Sequence, residues 1–127
     1  MTERLKKWLQ LKALEQEINQ ELEQALSQGR HTIQLNEFYV LHFLSESRQK
    51  SLRISDISQH LGLSLSATSR MLVKFETTCK VIERSSCPDD KRGIEIHLTS
   101  QGKKVLEDSY RLLEPVLKRY QIDKIIK

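Results

Sequence analysis

The sequence predicts a mainly α-helical protein with one small β-hairpin. Three observations predict this fold class: apolar residues recur at helical spacing over most of the chain, two short helical stretches flank Gly62, and residues 94–98 alternate between apolar and polar side chains. A chain of 127 residues is long enough for one ordinary domain and short for two. We therefore expect residues 1–127 to form a single domain.

The first predicted helix runs from the N-terminus to Gly29, a natural stop for a helix. Its apolar side chains recur at helical spacing from Leu5 to Leu26. A stripe of this length has to be buried, either on its own domain or on a second subunit.

A second helix is predicted after Thr32, with Asn36 as its N-cap and with Phe38 and Leu41 on its apolar face. Residues 45–50 are polar and predict a loop. Residues 52–54 predict a short strand.

The segment that follows has the pattern of a helix-turn-helix motif. Ser55 is the expected N-cap of a short helix, Gly62 supplies a left-handed exit, and Ser64 is the expected N-cap of the next helix. Two short helices joined by a tight turn with glycine are typical of this motif. The inward face of the second helix is expected to carry Thr68, Met71, Leu72 and Phe75.

A β-hairpin and a long helix are predicted after this motif. Residues 81–84 and 94–98 predict its two strands. Thr99 is the expected N-cap of the last helix, and Pro115 is expected to kink that helix or split it in two.

The positive charge is concentrated in one part of the chain. Residues 48–92 carry nine basic and five acidic side chains, whereas residues 1–47 carry five and seven. A basic region on a near-neutral body favours a polyanionic partner at one face. The chain has no apolar run of membrane-spanning length and no secretory signal pattern, so no membrane partner and a cytoplasmic location are expected.

A helix-turn-helix followed directly by a hairpin is a winged helix, and several segments resemble the MarR family of bacterial transcription regulators. "LNEF" (35–38) is similar to the family's second helix, and "ISDISQHLGLSLSATSR" (54–70) is similar to its helix-turn-helix. "DKRG" (90–93) and "IHLTSQG" (96–102) resemble its wing and the start of the following helix. The resemblance covers residues 5–120.

The resemblance implies a homodimer that binds double-stranded DNA at a pseudo-palindromic operator. Residues 34–98 would form the winged helix-turn-helix region, and residues 3–28 and 100–127 a helical dimerisation region. It also implies that a small-molecule effector of unknown identity, or oxidation, changes the spacing of the DNA-contacting helices. The chain ends earlier than the family pattern, so we expect a smaller dimer interface or one that depends more on residues 3–26. The expected dimerisation residues are Leu5, Trp8, Leu9, Val116, Leu117 and Tyr120.

The outer face of the second motif helix supplies the candidate DNA contacts. Arg70 is the best candidate to contact guanine, and Lys74 is expected at a phosphate. Leu65 either meets a thymine methyl or is simply exposed, and the sequence leaves both open. The full set on this helix is Ser64, Leu65, Ser66, Ser69, Arg70 and Lys74.

The hairpin tip supplies the remaining candidates. Lys91 and Arg92 are expected to contact phosphates or the narrow minor groove. Asp90 is expected to orient the Arg92 guanidinium, since a pre-oriented side chain loses less entropy on docking. The family glycine at the end of the recognition helix is missing from residues 77–80, which predicts left-handed strain there.

Two other classes of function are weighed against DNA binding. The winged helix could be a protein-interaction module, which the serine-rich second helix favours and the basic hairpin disfavours. An enzyme is the least favoured class, because the sequence shows no nucleophile–base pair, no phosphate-binding glycine loop and no metal-ligand cluster, and no cofactor is expected. Cys79 and Cys87 are expected to be free thiols, and their spacing with His97 matches no zinc pattern.

Overall fold

The structure is a computed structural model that describes the backbone at residues 1–87 and 90–126 and the side chains at residues 1–85 and 93–126. It is mainly helical with one small sheet, which confirms the predicted fold class. The helices in this part of the chain are α1 (Glu3–Leu26), α2 (Leu35–Glu46), α3 (Ile54–Leu61), α4 (Leu65–Cys79), α5 (Ser100–Arg119) and α6 (Ile122–Ile125). The strands are β1 (Ser51–Arg53), β2 (Ile82–Cys87) and β3 (Asp90–Leu98).

The chain divides into two compact units. One comprises residues 1–35 and 109–127, and the other comprises residues 36–108. The second unit contains the helix-turn-helix motif and the whole sheet, and it therefore contains every candidate DNA contact.

The first unit is built on α1 and on the C-terminal part of α5. Thr2 caps α1, because its Oγ1 accepts a hydrogen bond from the N–H of Leu5 at 3.1 Å. Six of the described apolar side chains in this unit are at most 6% exposed, which removes them from water and stabilises the unit. They are Leu22, Leu26, Ile33, Leu35, Leu113 and Val116.

The second unit has a core that draws on each of its long elements. Phe75 from α4, Ile57 from α3 and Ile96 from β3 are all fully buried. Burying side chains of this size contributes about 1.5–3 kcal/mol each. The other buried apolar residues of the unit include Val40, Leu41, Leu44, Leu72, Val81, Ile82 and Val105.

The sheet has the strand order β1-β3-β2 and is antiparallel throughout. β2 and β3 form the predicted hairpin, with Ile82 opposite Leu98 and Ser86 opposite Ile94. The register shifts between Ser86 and Cys87. β1 pairs with β3 along its full length, so the short strand predicted near residues 52–54 is the third strand of this sheet.

The start of α2 differs from the prediction. α2 begins at Leu35, so Asn36 lies inside the first turn and is not the N-cap. The backbone N–H of Leu35 instead donates to Oε1 of Glu23 at 2.8 Å. A carboxylate from α1 satisfies this helix end, and negative charge is favoured at a helix N-terminus.

The start of α3 also differs from the prediction, and one of the two alternatives predicted for α5 is excluded. α3 begins at Ile54, so Ser55 is not its N-cap, and the Asp56 carboxylate accepts a hydrogen bond from the N–H of Arg53 at 3.4 Å. α5 continues through Pro115 without splitting in two. Leu113 and Val116 are buried on either side of this proline, and a split would expose apolar surface that the continuous helix covers.

Candidate nucleic-acid interface

The turn between α3 and α4 depends on Gly62. Gly62 has φ +68° and ψ +28°, which is the left-handed conformation that glycine adopts without steric cost. The N–H groups of Gly62 and Leu63 donate to the carbonyls of Gln59 and Ser58, at 3.3 and 3.1 Å. These paired bonds form a Schellman motif, and they confirm the predicted left-handed exit.

Ser64 fixes the start of α4. Its Oγ accepts from the N–H of Ala67 at 3.1 Å, which confirms the predicted N-cap. The hydroxyl of Thr68 donates to the carbonyl of Ser64 at 2.8 Å, and Thr68 is fully buried. The first turn of α4 is therefore held by both a cap and a buried anchor.

The outer face of α4 is polar and basic. Thr68, Leu72 and Phe75 are buried and define the inner face of the helix. Ser66, Arg70 and Lys74 are exposed on the other side, as are Ser64 and Leu65 at the start, and Ser69 is half-buried. Of the α4 residues and its N-cap that were predicted as DNA contacts, all except Ser69 are therefore exposed and accessible to a partner.

Two apolar side chains are also exposed on α4. Leu65 is 58% exposed and Val73 is 48% exposed. Val73 lies three residues after Arg70 and seven after Ser66, so it belongs to the same outward stripe. The sequence prediction missed Val73, although the same helical spacing from Ser66 and Arg70 could have identified it.

An ion pair joins α4 to the hairpin. Nε of Arg84 on β2 lies 3.2 Å from Oε2 of Glu76 on α4, and both side chains are about 30% exposed or less. Nη2 of Arg84 is buried and has no hydrogen-bond partner among the described atoms. The pair therefore sets the position of the recognition helix against the hairpin, a role that the sequence did not reveal.

The end of α4 carries the left-handed strain that the sequence predicted. Lys80 has φ +55° and ψ +29°, at the position where the resemblance implied a glycine. A side chain in this conformation costs about 1–2 kcal/mol. The carbonyl of Lys80 accepts a hydrogen bond from Oγ1 of Thr99 at 3.0 Å, which holds the strained residue in place.

Thr99 and Gly102 connect α4 and the hairpin to α5. Thr99 caps α5 as predicted, since its Oγ1 accepts from the N–H of Gly102 at 3.0 Å. The N–H of Thr99 also donates to the carbonyl of Val81 at 3.1 Å. A Cβ at Gly102 would overlap that same carbonyl oxygen, so only glycine lets α5 approach the start of β2 this closely.

A serine, a histidine and a glutamate meet on the hairpin without forming a catalytic relay. Oγ of Ser85 lies 2.6 Å from Nε2 of His97, and Oε2 of Glu95 lies 3.5 Å from the same nitrogen. A nucleophilic triad needs the carboxylate on the opposite ring nitrogen from the hydroxyl. These contacts therefore stabilise a cross-strand pair and do not activate Ser85.

The thiol of Cys79 is poorly suited to oxidation. Cys79 is half-buried at the end of α4, and this burial, with a smaller contribution from the Glu37 carboxylate, raises the pKa of the thiol. The thiolate is the reactive form, so a raised pKa disfavours oxidation. Within the part of the chain that the structure describes, no three His, Cys, Asp or Glu side chains form a metal-binding group.

The predictions for the hairpin tip fall on Asp90, Lys91 and Arg92, whose side chains lie outside those that the structure describes. Their backbone belongs to β3, which pairs with β2. The contacts predicted for these three residues therefore stay predictions.

The predicted dimerisation residues are all in the first unit. Leu5, Trp8 and Leu9 are 44%, 56% and 45% exposed on α1. Val116 is buried within its own chain, so it has little surface left for a partner. Leu117 and Tyr120 are half-buried.

Two shallow cavities are candidates for a small ligand. One of about 350 Å³ lies beside Glu21, Gln28 and Arg119, and one of about 260 Å³ lies beside Lys50, Ser100 and other residues of the second unit. Neither is a large apolar pocket of the kind that usually holds a small molecule. The effector that the resemblance implies stays a prediction. No helix among the described residues is long and apolar enough to cross a membrane.

A capped recognition helix, a tight glycine turn before it and an antiparallel hairpin after it define a winged helix-turn-helix protein. Comparison with known proteins gives a family likeness. The model of the MarR family matches residues 31–93, which span the motif and most of the hairpin and make up just under half of the chain. Over these residues the chain is similar to the MarR family of transcription regulators.

A curated relative supports this likeness. The chain is 33% identical over 69 residues to the uncharacterized HTH-type transcriptional regulator YfiV of Bacillus subtilis. The match covers 54% of this chain and 42% of the relative, so the chain spans less than half the length of that protein.

Solved structures share the fold at lower identity. AbsC, a MarR family transcriptional regulator from Streptomyces coelicolor, matches with a TM-score of 0.86 and 23% identity, covering 97% of this chain and 82% of AbsC. Sco3205, another MarR family regulator from the same organism, was solved in complex with DNA. It matches with a TM-score of 0.87 and 22% identity, covering 97% of this chain and 76% of Sco3205.

Proposed function

We propose that this chain is a sequence-specific DNA-binding transcription regulator that acts as a homodimer on a pseudo-palindromic operator. The observation that carries the proposal is the outer face of α4. Arg70, Lys74 and Ser66 are exposed there, on a helix that is capped at its start and fixed by a buried inner face. A helix presented in this way fits the major groove of B-DNA.

The recognition helix supplies base contacts and the surrounding charge supplies affinity. Arg70 would form a bidentate contact with guanine, the commonest specific contact of arginine. Lys74, one turn further along, contacts a phosphate, as do the backbone and hydroxyls near the helix start at Ser64. Phosphate contacts fix the register and base contacts give the specificity.

The hairpin tip supplies the second contact to the duplex. Lys91 and Arg92 would neutralise phosphates or enter the minor groove beside the recognition helix. Asp90 would orient Arg92. The Glu76–Arg84 ion pair supports this arrangement, because it ties the helix and the hairpin of one unit together.

The exposed apolar residues of α1 support the homodimer. Leu5, Trp8 and Leu9 are each more than 40% exposed over little more than one helical turn. Covering them on a second copy removes apolar area from water. The two recognition helices would then lie about 34 Å apart, which is one turn of B-DNA.

DNA binding also defines where the protein works. A regulator of transcription acts on the chromosome of its cell, which places it in the cytoplasm of a bacterium, and it has no catalytic step of its own. The structure of Sco3205 in complex with DNA supports the same kind of partner for this chain.

A second candidate function is a winged-helix module for protein interaction. The exposed apolar residues Leu65 and Val73 on α4 favour it, since apolar side chains often mark protein interfaces. The neighbouring cations Arg70 and Lys74 favour DNA.

Selection of bound duplexes from a random pool tests the proposed function. We expect a two-fold symmetric consensus whose half-sites are centred about 10 base pairs apart. Raising the salt should weaken the binding of the selected duplex steeply. A pool that yields no consensus, together with gel shifts that show no retained complex, would contradict operator binding and favour the protein-interaction module.

A further inference from the structure

We propose that Leu65 and Val73 recognise thymine through its 5-methyl group, one on each side of the contact made by Arg70. This inference rests on the proposed function and deepens it, because it assigns an apolar part of the operator code to this chain. Val73 was not among the residues predicted from the sequence. For Leu65, the sequence left open a contact with a thymine methyl or simple exposure, and this inference assigns the methyl contact.

Position on the helix distinguishes these two side chains from ordinary exposed apolar residues. Single apolar residues on a protein surface need no functional explanation. Leu65 and Val73, however, lie on the helix that carries the candidate DNA contacts, 58% and 48% exposed. Valine is also a weak helix former, so neither folding nor solubility favours Val73 at an exposed helical position.

The groups next to them indicate DNA as the occupant of this face. Arg70 lies between the two along the helix, and Lys74 directly follows Val73. The apolar groups are thus separated by cations and serine hydroxyls and do not form one continuous patch. In the major groove, the thymine methyl is a single apolar group among polar base edges and negative phosphates.

The spacing along α4 fits two bases of one half-site. Leu65 and Val73 are eight residues apart, which is about 12 Å along a helix that rises 1.5 Å per residue. Bases along one strand are about 3.4 Å apart, so this distance corresponds to three or four base steps. We therefore expect two methyl-sensitive thymines in each half-site, with the guanine for Arg70 between them.

Replacing thymine by deoxyuridine tests this inference, because it removes only the methyl group. Each thymine of the selected consensus is replaced in turn, and the dissociation constant is measured by titration with the wild-type protein. Removing a buried methyl group should weaken binding about fourfold at each of the two positions. Other thymines should tolerate the change.

Two variants assign the methyl groups to their side chains. With Val73→Ala, sensitivity to deoxyuridine should disappear at one position and persist at the other, and Leu65→Ala should show the reverse. Alanine favours the helix, so both variants should keep the wild-type circular dichroism spectrum. Thr78→Ala is the matched control, since Thr78 is also exposed on α4 but lies off the outward stripe, and it should retain both sensitivities.

The outcomes separate this inference from the proposed function. An operator that is bound equally well with thymine and with deoxyuridine at every position would overturn the inference and leave the proposed function intact. Sensitivity that persists unchanged in both alanine variants would also overturn it, because the methyl groups would then contact other residues. Failure to select any consensus would instead contradict the proposed function itself.

Discussion

Among single residues, Gly102 and Gly62 are needed for different physical reasons. A Cβ at Gly102 would overlap the Val81 carbonyl, whereas a Cβ at Gly62 would meet no atom within 4 Å and only the left-handed backbone disfavours it. We expect Gly102→Ala to lower the free energy of unfolding by about 3 kcal/mol or more, because the backbone at Val81 or at the start of α5 would have to move to make room for the methyl group. Gly62→Ala should cost about 1–2 kcal/mol. Urea unfolding of both variants measures this, and an equal or reversed order would contradict the close approach of α5.

Arg92 gives a residue-scale prediction about the hairpin tip. Each phosphate contact contributes about 0.9 to the slope of log K against log salt concentration. If Arg92 is such a contact, Arg92→Ala should weaken operator binding and reduce that slope by about one for each subunit. The fold should be unaffected, because Arg92 is expected on the surface. An unchanged slope in a folded variant would count against the role of the hairpin tip.

The residues that sequence analysis placed correctly are those whose roles depend on local chemistry. Ser64 and Thr99 cap helices through atoms a few residues away, and Gly62 supplies a backbone conformation that other residues resist. Val73 was missed because an apolar residue in a helix is expected in the core. The structure shows that it is exposed on the outer face of α4, in agreement with its helical spacing from Ser66 and Arg70.

At the scale of elements, the Glu76–Arg84 ion pair predicts that replacing Glu76 lowers the stability more than replacing Arg84. Nη2 of Arg84 is buried and has no partner among the atoms that the structure describes, and Glu76 provides the compensating charge. Glu76→Gln leaves that cation without its partner and should cost about 1 kcal/mol or slightly more, with allowance for the partial exposure of the pair. Arg84→Met removes the buried donor and should cost less. Urea unfolding measures both variants, and a larger cost for Arg84→Met would contradict this interpretation.

A contact between α1 and the C-terminal end of α5 gives a pH-dependent prediction. The Tyr120 hydroxyl, assisted by Arg119, lowers the pKa of Glu21, and the hydrogen bond to Glu21 raises the pKa of Tyr120 to about 12. A lowered carboxylate pKa stabilises the fold above the unfolded pKa, and this stability is lost as pH falls through the folded pKa. Tyr120→Phe should therefore be less stable than the wild type at neutral pH.

Between neutral pH and an acidic pH below the lowered pKa of Glu21, the difference in stability between the wild type and Tyr120→Phe should narrow, because Glu21 then takes up its proton. Urea unfolding at the two pH values measures it. A difference that is the same at both would show that the hydroxyl does not act through Glu21.

The elements themselves were largely predictable, and their boundaries were less so. Hydrophobic spacing is a local pattern, and it located α1, α4 and the hairpin. The start of α2 depends on Glu23, twelve residues away from Leu35 in the sequence, so no local pattern could place it. Pro115 was expected to kink α5 or split it in two, and the helix runs through it without a split, because the buried residues on either side favour a continuous helix.

At the scale of the whole molecule, DNA binding by a dimer requires an interface that the isolated chain leaves open. Leu5, Trp8 and Leu9 are the residues of α1 that were predicted to form this interface, and all three are exposed. Trp8→Glu places a charge in that stretch and should shift the protein from dimer to monomer in sedimentation experiments. Gln10→Glu is the control, because it adds the same charge to an exposed position on the opposite side of α1.

Trp8 also reports on this interface directly, because it is the single tryptophan of the chain. It is 56% exposed in the isolated chain, so its fluorescence emission should lie near that of a solvated indole at low protein concentration. Burial in a dimer should move the emission to shorter wavelength as the concentration rises, with the same midpoint as in sedimentation. Operator binding should rise over the same range of protein concentration. A monomer contacts only one half-site, so it lacks the second half-site contact that the dimer makes. A dimer whose tryptophan emission does not change with concentration would place the interface elsewhere and would assign α1 another partner.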